Sequence, residues 1–137
     1  MTRIFTFGSN REGRHGAGAA LDALHHHGAV YGQAEGLQGS SYAIVTKELR
    51  RGKPPVTLEE IRTGVERFMA FARRHPELGF EVTAIGCGRA GFRAADVAPL
   101  FASAPVNVHL PTVFLEVLER RRAAEVAPEA MLHGIEP

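Results

Sequence analysis

Two glycine-rich loops, each directly after an apolar run of β-forming residues, constrain the fold of this chain more than any other feature. The first run, residues 3–7, leads into a loop at residues 8–18, and the second run, residues 80–85, leads into a loop at residues 86–91. Glycine lets a backbone approach a ligand closely, and a loop that opens a helix presents unpaired N–H groups. Because ligands of an open α/β sheet bind at the carboxyl ends of its strands, we expect both loops to meet at one ligand site.

Length and composition limit the class of protein. The chain has 137 residues, enough for one domain with a buried core, and its net charge of +1 gives no electrostatic reason to expect a nucleic-acid or membrane partner. No apolar run approaches the roughly 20 residues that span a bilayer, and the N-terminus has no signal-type apolar region. The single cysteine, Cys87, excludes an internal disulfide and fits a reducing compartment. We therefore expect a cytoplasmic protein.

Apolar spacing predicts strands that alternate with helices. A capping box of Thr57 and Glu60 begins one helix, and Pro76 ends it. Glycines and small polar residues at 32–41 predict a surface loop. The predicted strands cover residues 4–7, 30–31, 42–45, 80–85 and 106–110. Three further helices are predicted at residues 17–27, 93–101 and 111–122.

This alternation predicts a three-layer α/β/α single domain with a mostly parallel, mixed sheet. Residues 1–124 are assigned to the domain, and the weakly patterned residues 125–137 to a loosely held C-terminal tail.

Arginines accompany both loops. Arg11 and Arg14 lie in the first loop, and Arg89 and Arg93 lie in or beside the second. Guanidinium groups suit bidentate contacts with phosphate, so the two loops together predict an anion site. The first loop matches neither the dinucleotide-binding fingerprint nor the Walker phosphate loop. A tight structural turn with arginines that face solvent is the alternative interpretation.

The same segments resemble the macro domain. The resemblance lies in Asn10 after the first strand, in residues 15–20 at the start of the first helix, and in the turn at residues 86–92. It runs in order from Ile4 to about Pro111. A closer resemblance, to a small phage and bacterial branch of macro-like proteins, rests on residues 7–10, 13–20, 41–44, 46–47 and 85–88.

The resemblance implies a ligand and a set of binding residues. In macro domains the asparagine contacts the distal ribose of ADP-ribose, the first glycine loop holds that ribose, and the late turn encloses the diphosphate. By resemblance, the ligand is a nucleotide derivative with ribose and phosphate, ADP-ribose or a relative, and no cofactor is needed. The implied binding residues are Gly8, Ser9, Asn10, His15, Gly16, Ala17, Gly18, Ala19, Gly86, Cys87, Gly88, Arg89, Ala90, Gly91 and Phe92.

This chain departs from the macro pattern at three places. No Asp precedes the first strand to receive the adenine amino group, Gly8 and Ser9 stand where two alanines are usual in a longer asparagine motif, and His15 stands where glycine is usual.

Three functions remain open at this point. The first is binding with hydrolysis of an ADP-ribosyl bond, in which Asn10 orients the ribose or a water. The second is a non-catalytic sensor of a nucleotide signal or of an ADP-ribosylated partner. The third is a thiol-dependent hydrolase with Cys87 as nucleophile and His15 as base, against which stands a cysteine that is simply packed beneath its turn.

The remaining titratable residues do not indicate a particular catalytic base or a metal site. Glu12, Glu35 and Asp96 are the acidic residues nearest the predicted pocket, and their spacing selects none of them as a base. The three consecutive histidines at residues 25–27 point about 100° apart on a helix and cannot converge on one ion, so we expect no metal site.

Overall fold

The structure is a computed structural model that describes the backbone of residues 2–135 and the side chains of residues 2–126. A short 3₁₀ helix, Ala98–Phe101, follows the third α-helix. The strands are β1 (Thr2–Asn10), β2 (Gly36–Gln38), β3 (Ser41–Lys47), β4 (Leu78–Val82) and β5 (Val108–His109), and the helices are α1 (Gly18–His26), α2 (Leu58–Arg74), α3 (Ala94–Val97) and α4 (Thr112–Ile135).

The strands form one sheet in the order β2-β3-β1-β4-β5. β1 lies at its centre and pairs in parallel with β3 on one side and with β4 on the other. β5 adds a parallel strand beside β4, and β2 pairs antiparallel with β3 at the opposite edge. The sheet is therefore mixed and mostly parallel, because helical connections return the chain to the same end of the sheet.

Both faces of β1 are buried, and this produces the layers. Ile4 belongs to a large apolar cluster with side chains of α2, the 3₁₀ helix and α4. Phe7 belongs to a smaller cluster on the other face, with Ala20 and Ala23 of α1. Successive side chains of a strand point to opposite faces, so one strand holds both layers. The three-layer α/β/α fold predicted from the sequence is confirmed.

The helix start predicted at Thr57 and the helices predicted after both glycine loops are present. The Thr57 side chain accepts a hydrogen bond from the Glu60 N–H, and the Glu60 carboxylate accepts one from the Thr57 N–H, so the predicted capping box is present. α1 follows the first glycine loop, and α3 with the 3₁₀ helix follows the second. The second half of that segment is 3₁₀ rather than α, with Pro99 in its first turn.

Two expectations about the segment between α1 and β3 are wrong. Residues 30–31 do not form a strand, because the Gly32 N–H donates to the Gly13 carbonyl and bends the chain toward the first loop. Residues 32–41 are not only a loop, because they contain β2, which forms a hairpin with β3.

Boundaries also shift. β4 ends at Val82 rather than at residue 85, because the chain turns there and the Ile85 N–H donates to the Thr83 carbonyl. β5 covers only two of the five residues predicted for it. α4 continues past residue 122 to Ile135, and the division between a domain of residues 1–124 and a tail stays a prediction.

Within the described residues, no helix combines the length and the apolar character that crossing a bilayer requires.

The capping box predicts a measurable contribution to stability. We expect Thr57→Ala to lower the free energy of unfolding by about 1 kcal/mol, because the Glu60 N–H loses its acceptor. Thr63→Ala is the matched control, since Thr63 is exposed within the same helix and alanine is the better helix former there. Urea denaturation followed by circular dichroism measures both. Equal stability of Thr57→Ala and wild type would contradict the role of the cap.

Candidate functional site

The sheet changes its direction of winding at the carboxyl ends of β1 and β4. β1 is followed by α1 on one face of the sheet, and β4 is followed by α3 and the 3₁₀ helix on the other face. The two strands are neighbours and parallel, so their following loops separate and leave a crevice between them. This is the position at which open α/β sheets bind ligands.

A cavity of about 540 Å³ occupies this crevice. Its volume lies within the range typical of small-molecule sites, about 300 to 1,000 Å³. We call it the switch-point cavity. Both glycine loops contribute to its wall, together with the end of β3, and it is lined by Gly8, Ser9, Asn10, Arg14, Gly16, Ala17, Gly18, Ala19, Ala20, Tyr31, Thr46, Lys47, Leu49, Thr83, Ala84, Ile85, Gly86, Gly88, Arg89 and Ala90.

The side chain of Asn10 closes the first loop. Its Nδ2 donates to the Arg14 carbonyl at 2.7 Å, and its Oδ1 accepts from the Arg14 N–H at 2.8 Å. One donor and one acceptor site of the amide are therefore occupied by the loop itself. Asn10 lines the cavity as predicted, and its first role is to hold the loop in the shape that surrounds the cavity.

The N-terminus of α1 opens into the cavity without a cap. Ala17 occupies the N-cap position, where its side chain offers no acceptor. The first bond of the helix runs from the Leu21 N–H to the Ala17 carbonyl at 3.2 Å, so the N–H groups of the three residues before Leu21 have no partner within the helix. These residues line the cavity. An uncapped helix N-terminus with these donors favours an anion.

The second loop turns tightly beneath the cavity. Gly86 has φ of +76°, a left-handed conformation that glycine adopts without steric strain. A hydrogen bond of 2.8 Å from the Phe92 N–H to the Gly86 carbonyl closes the turn. The turn directs Gly88, Arg89 and Ala90 toward the cavity. Gly91 and Phe92, predicted as binding residues, do not line it, and the Phe92 side chain packs against the main core instead.

Three cationic side chains line the switch-point cavity: Arg14, Lys47 and Arg89. The Nε of Arg14 also pairs with the carboxylate of Glu12 at 2.9 Å, and Glu12 itself does not line the cavity. Within the described part of the chain, no aspartate or glutamate lines this cavity. The local charge is thus positive although the whole chain carries a net charge of only +1.

Two of the four arginines predicted to surround the ligand lie elsewhere. Arg11 donates to the Glu60 carboxylate at 2.8 Å and to the Pro54 carbonyl at 2.6 Å, and it lines a separate cavity of about 420 Å³ beside α2. Arg93 pairs with Asp96, three residues further along α3. Their carboxylate partners hold both guanidinium groups away from the switch-point cavity.

Glu48 connects the end of β3 to two arginines. Its carboxylate accepts hydrogen bonds from Arg50 at 2.9 Å and from Arg11 at 3.3 Å, and its side chain is only 2% exposed. The Arg50 hydrogen bonds, helped by Arg11, lower the pKa of Glu48 to about 2. Glu48 therefore fixes the chain directly after Lys47, a residue of the cavity wall.

His15 supports the first loop from behind and does not line the cavity. Its ring is fully buried and lies edge-on to Phe7, with ring centroids 5.2 Å apart. Nε2 donates to the Gln38 Oε1 at 3.1 Å, since the Gln38 amide nitrogen itself donates to two backbone carbonyls. Among the described residues no donor reaches Nδ1. The expectation that His15 contacts the ligand or acts as a base finds no geometric support.

Cys87 also lies outside the cavity lining. It packs against the main core, its Sγ lies 3.5 Å from the Ile85 carbonyl, and burial raises the pKa of its thiol. A nucleophilic thiolate requires the opposite shift. The geometry therefore favours the interpretation of Cys87 as a packed residue beneath the turn over that of a nucleophile.

Metal ligands do not converge within the described residues, where no group of three or more His, Cys, Asp or Glu side chains is placed to hold an ion. His27 instead stacks on Phe5 with ring centroids 4.2 Å apart.

Several cavity residues were missed from the sequence. Thr46 and Lys47 end β3, and the register of the parallel pair places Lys47 beside Asn10. The signal was available, because any strand parallel to β1 ends at the same edge. Tyr31 carries no such signal, since it reaches the cavity through the long-range contact of Gly32 with Gly13.

Comparison with known proteins adds evidence on the fold alone. No protein-family model matches the chain, and no curated protein is similar enough in sequence to count as a relative. Among solved structures, the chain is similar to a protein of unknown function from Bacteroides thetaiotaomicron, with a TM-score of 0.53 and 15% identity over 80% of this chain and 88% of that one. The similarity supports the α/β architecture.

The Glu48 cluster predicts a dependence of stability on pH. The pKa of Glu48 lies near 2 in the folded protein against an ordinary value of 4.5, so its stabilisation is complete above about pH 5.5 and is lost as the pH falls toward 2. We expect Glu48→Gln to lower stability at neutral pH and to flatten the acid side of the pH profile. Urea midpoints measured from about pH 7 down to pH 3 test this.

Glu119→Gln controls for the loss of one negative charge, because Glu119 is exposed on α4. An acid profile of Glu48→Gln as steep as that of wild type would contradict the assignment.

Proposed function

We propose that this domain binds a nucleotide-derived ligand with ribose and phosphate, ADP-ribose or a relative, in the switch-point cavity. One observation carries the proposal: the uncapped N-terminus of α1 opens into a cavity whose charged lining residues, within the described part of the chain, are all cations. Backbone N–H groups at a helix N-terminus favour phosphate, and arginine and lysine add charge-assisted hydrogen bonds.

The placement of the two loops supports a ligand with several groups. The α1 N-terminus and the second loop lie on opposite sides of the β1–β4 crevice, so a single phosphate cannot occupy the whole cavity of about 540 Å³. A diphosphate in the crevice would reach donors of both loops. The order of Asn10, the first loop and the late turn around one cavity agrees with the resemblance to macro domains.

The cavity favours binding over catalysis. Hydrolysis of an ADP-ribosyl bond needs a group that activates water or a nucleophile. Of the candidates, His15 and Cys87 lie outside the lining, and the Asn10 amide holds its own loop. A non-catalytic sensor is thus the form of the proposal that the geometry supports best. Incubation with an ADP-ribosylated protein should release no ADP-ribose, and measurable turnover would instead assign a hydrolase.

The cations provide the direct test of the ligand class. We expect Arg14→Ala, Lys47→Ala and Arg89→Ala each to weaken ADP-ribose binding by about 1 kcal/mol and to flatten its decrease with added salt, because partly exposed charge-assisted contacts are screened. Calorimetric titration at low and high salt measures both effects.

Arg93→Ala is the matched control, since Arg93 pairs with Asp96 outside the cavity. If the three cavity variants and Arg93→Ala bind ADP-ribose as wild type does at both salt concentrations, phosphate is not held in this cavity.

The glycines provide a steric test that leaves the fold intact. A Cβ atom at Gly16 or Gly88 would meet no atom within 4 Å, and neither residue has a left-handed φ. A larger side chain at these positions therefore occupies space next to the cavity rather than straining the backbone. We expect Gly16→Val and Gly88→Val to weaken ADP-ribose binding by about tenfold or more, or 1.4 kcal/mol, with an unchanged urea midpoint.

Ala123→Val, on the exposed face of α4, controls for added apolar bulk. Normal ADP-ribose binding by both glycine variants would place the ligand elsewhere on the protein.

A further inference from the structure

Two exposed apolar side chains stand in the wall of the switch-point cavity. Tyr31 is 62% exposed and Leu49 is 42% exposed, and both line the cavity. An aromatic ring that is largely in water gains little from its own packing, whereas it offers a flat apolar face to a ligand.

Leu49 lies on the β3 side of the cavity, and Tyr31 lies beside the first loop. Leu49 follows the end of β3, which pairs with β1 on the side opposite β4. Tyr31 is held beside the first loop by the hydrogen bond of 2.9 Å from the Gly32 N–H to the Gly13 carbonyl. A Cβ atom at Gly13 would lie 2.5 Å from the Gly32 backbone, so glycine is required for this close approach. The glycine-rich turn with Arg89 lies at the other side, after β4.

Four uncharged polar side chains of the cavity wall, those of Ser9, Asn10, Thr46 and Thr83, are already engaged with the backbone. The hydroxyl of Ser9 donates to the Ala34 carbonyl, that of Thr46 to the Ser9 carbonyl, and that of Thr83 to the Thr6 carbonyl. The amide of Asn10 bonds to the Arg14 backbone in both directions. These bonds use the three hydroxyl protons and one donor and one acceptor site of the Asn10 amide, which leaves few side-chain donors for the edge of a base. The wall offers a ligand mainly charge, backbone N–H groups and the apolar faces of Tyr31 and Leu49.

We infer that Tyr31 stacks on the nucleobase of the ligand beside Leu49, and that the site binds the base by its face, so that it accepts adenine, guanine, cytosine and uracil alike. This inference rests on the proposed function and adds the specificity of its base subsite. Stacking tolerates any base because every base has a π-face, whereas discrimination requires hydrogen bonds to the base edge. Phosphate at the turn with Arg89, on the other side of the cavity, fixes the other end of the ligand.

The chain contains its own reporter for this contact. It has two tyrosines and no tryptophan, and Tyr42 is buried in the main core at 6% exposure. A base stacked on Tyr31 should therefore quench a large part of the intrinsic tyrosine emission, and ribose 5-phosphate, which has no base, should not. Tyr31→Phe should retain binding by calorimetry and lose the quenching. Any decrease in emission that remains in this variant comes from light that the nucleotide absorbs, so the variant also provides the correction for that absorption.

The experiment titrates wild type with ADP, GDP, CDP, UDP and ribose 5-phosphate. We expect the four nucleotides to bind within about fivefold of one another, and Tyr31→Ala to weaken each by about tenfold, within the range measured for base stacking on aromatic residues. Ribose 5-phosphate should bind Tyr31→Ala and wild type equally. Val30→Ala is the control, because Val30 is a half-exposed neighbour that does not line the cavity.

The outcomes separate the two proposals. If wild type binds neither nucleotides nor ribose 5-phosphate, the proposed function fails and this inference fails with it. If wild type binds ADP but Tyr31→Ala binds it equally well, or if one base is preferred by a hundredfold, the stacking subsite is wrong while the phosphate site stands.

Discussion

The position of β1 in the middle of the sheet is the constraint on which the rest of the structure depends. Thr2 and Arg3 are exposed, but from Ile4 onward its two parallel neighbours and two covered faces leave every residue of the strand buried or partly buried. At the carboxyl end the chain leaves toward one face, and the neighbouring β4 leaves toward the other. The crevice between them is a consequence of this connectivity, and it exists before any side chain of the site is considered.

The polar residues around the crevice serve mainly to shape it. Ser9, Asn10 and Thr46 direct their side chains to backbone carbonyls of neighbouring segments, which fixes the loops and satisfies buried polar groups. His15 does the same from behind by joining the first loop to Gln38. Loops held in this way keep their N–H groups in place without a ligand, and such preorganisation lowers the conformational entropy that the loops lose when a ligand binds.

The sequence predicted the elements that depend on local signals. The capping box at Thr57 and the two strand–loop–helix units are short-range patterns, and the structure contains them. β2 was missed because three residues among glycines carry no alternating pattern, and its pairing with β3 decides its conformation. The first turn of α1 was predictable as a donor site, since the absence of a capping side chain at Ala17 is visible in the sequence.

The roles of the individual arginines illustrate where local reasoning stops. The pairing of Arg93 with Asp96 has the three-residue spacing that joins side chains on one helix face, so it could have been read from the sequence. The partners of Arg11 lie 37 and 49 residues away and follow only from the folded topology. The burial of His15 is likewise not visible in the sequence: its neighbours Arg14 and Gly16 line the cavity, while its own side chain turns inward to Phe7.

Two consecutive residues of opposite charge at the end of β3 point to different places. Lys47 lines the switch-point cavity, whereas Glu48 binds Arg11 and Arg50 on the way to the second cavity beside α2. In that second cavity the lining arginines face glutamates, so their charges are compensated. Glu48 and Glu60 retain Arg11 outside the switch-point cavity, whose described lining contains three cations and no carboxylate, although Arg14 also pairs with Glu12 beyond that lining. A nearly neutral chain thereby carries a local positive charge that its net charge does not reveal.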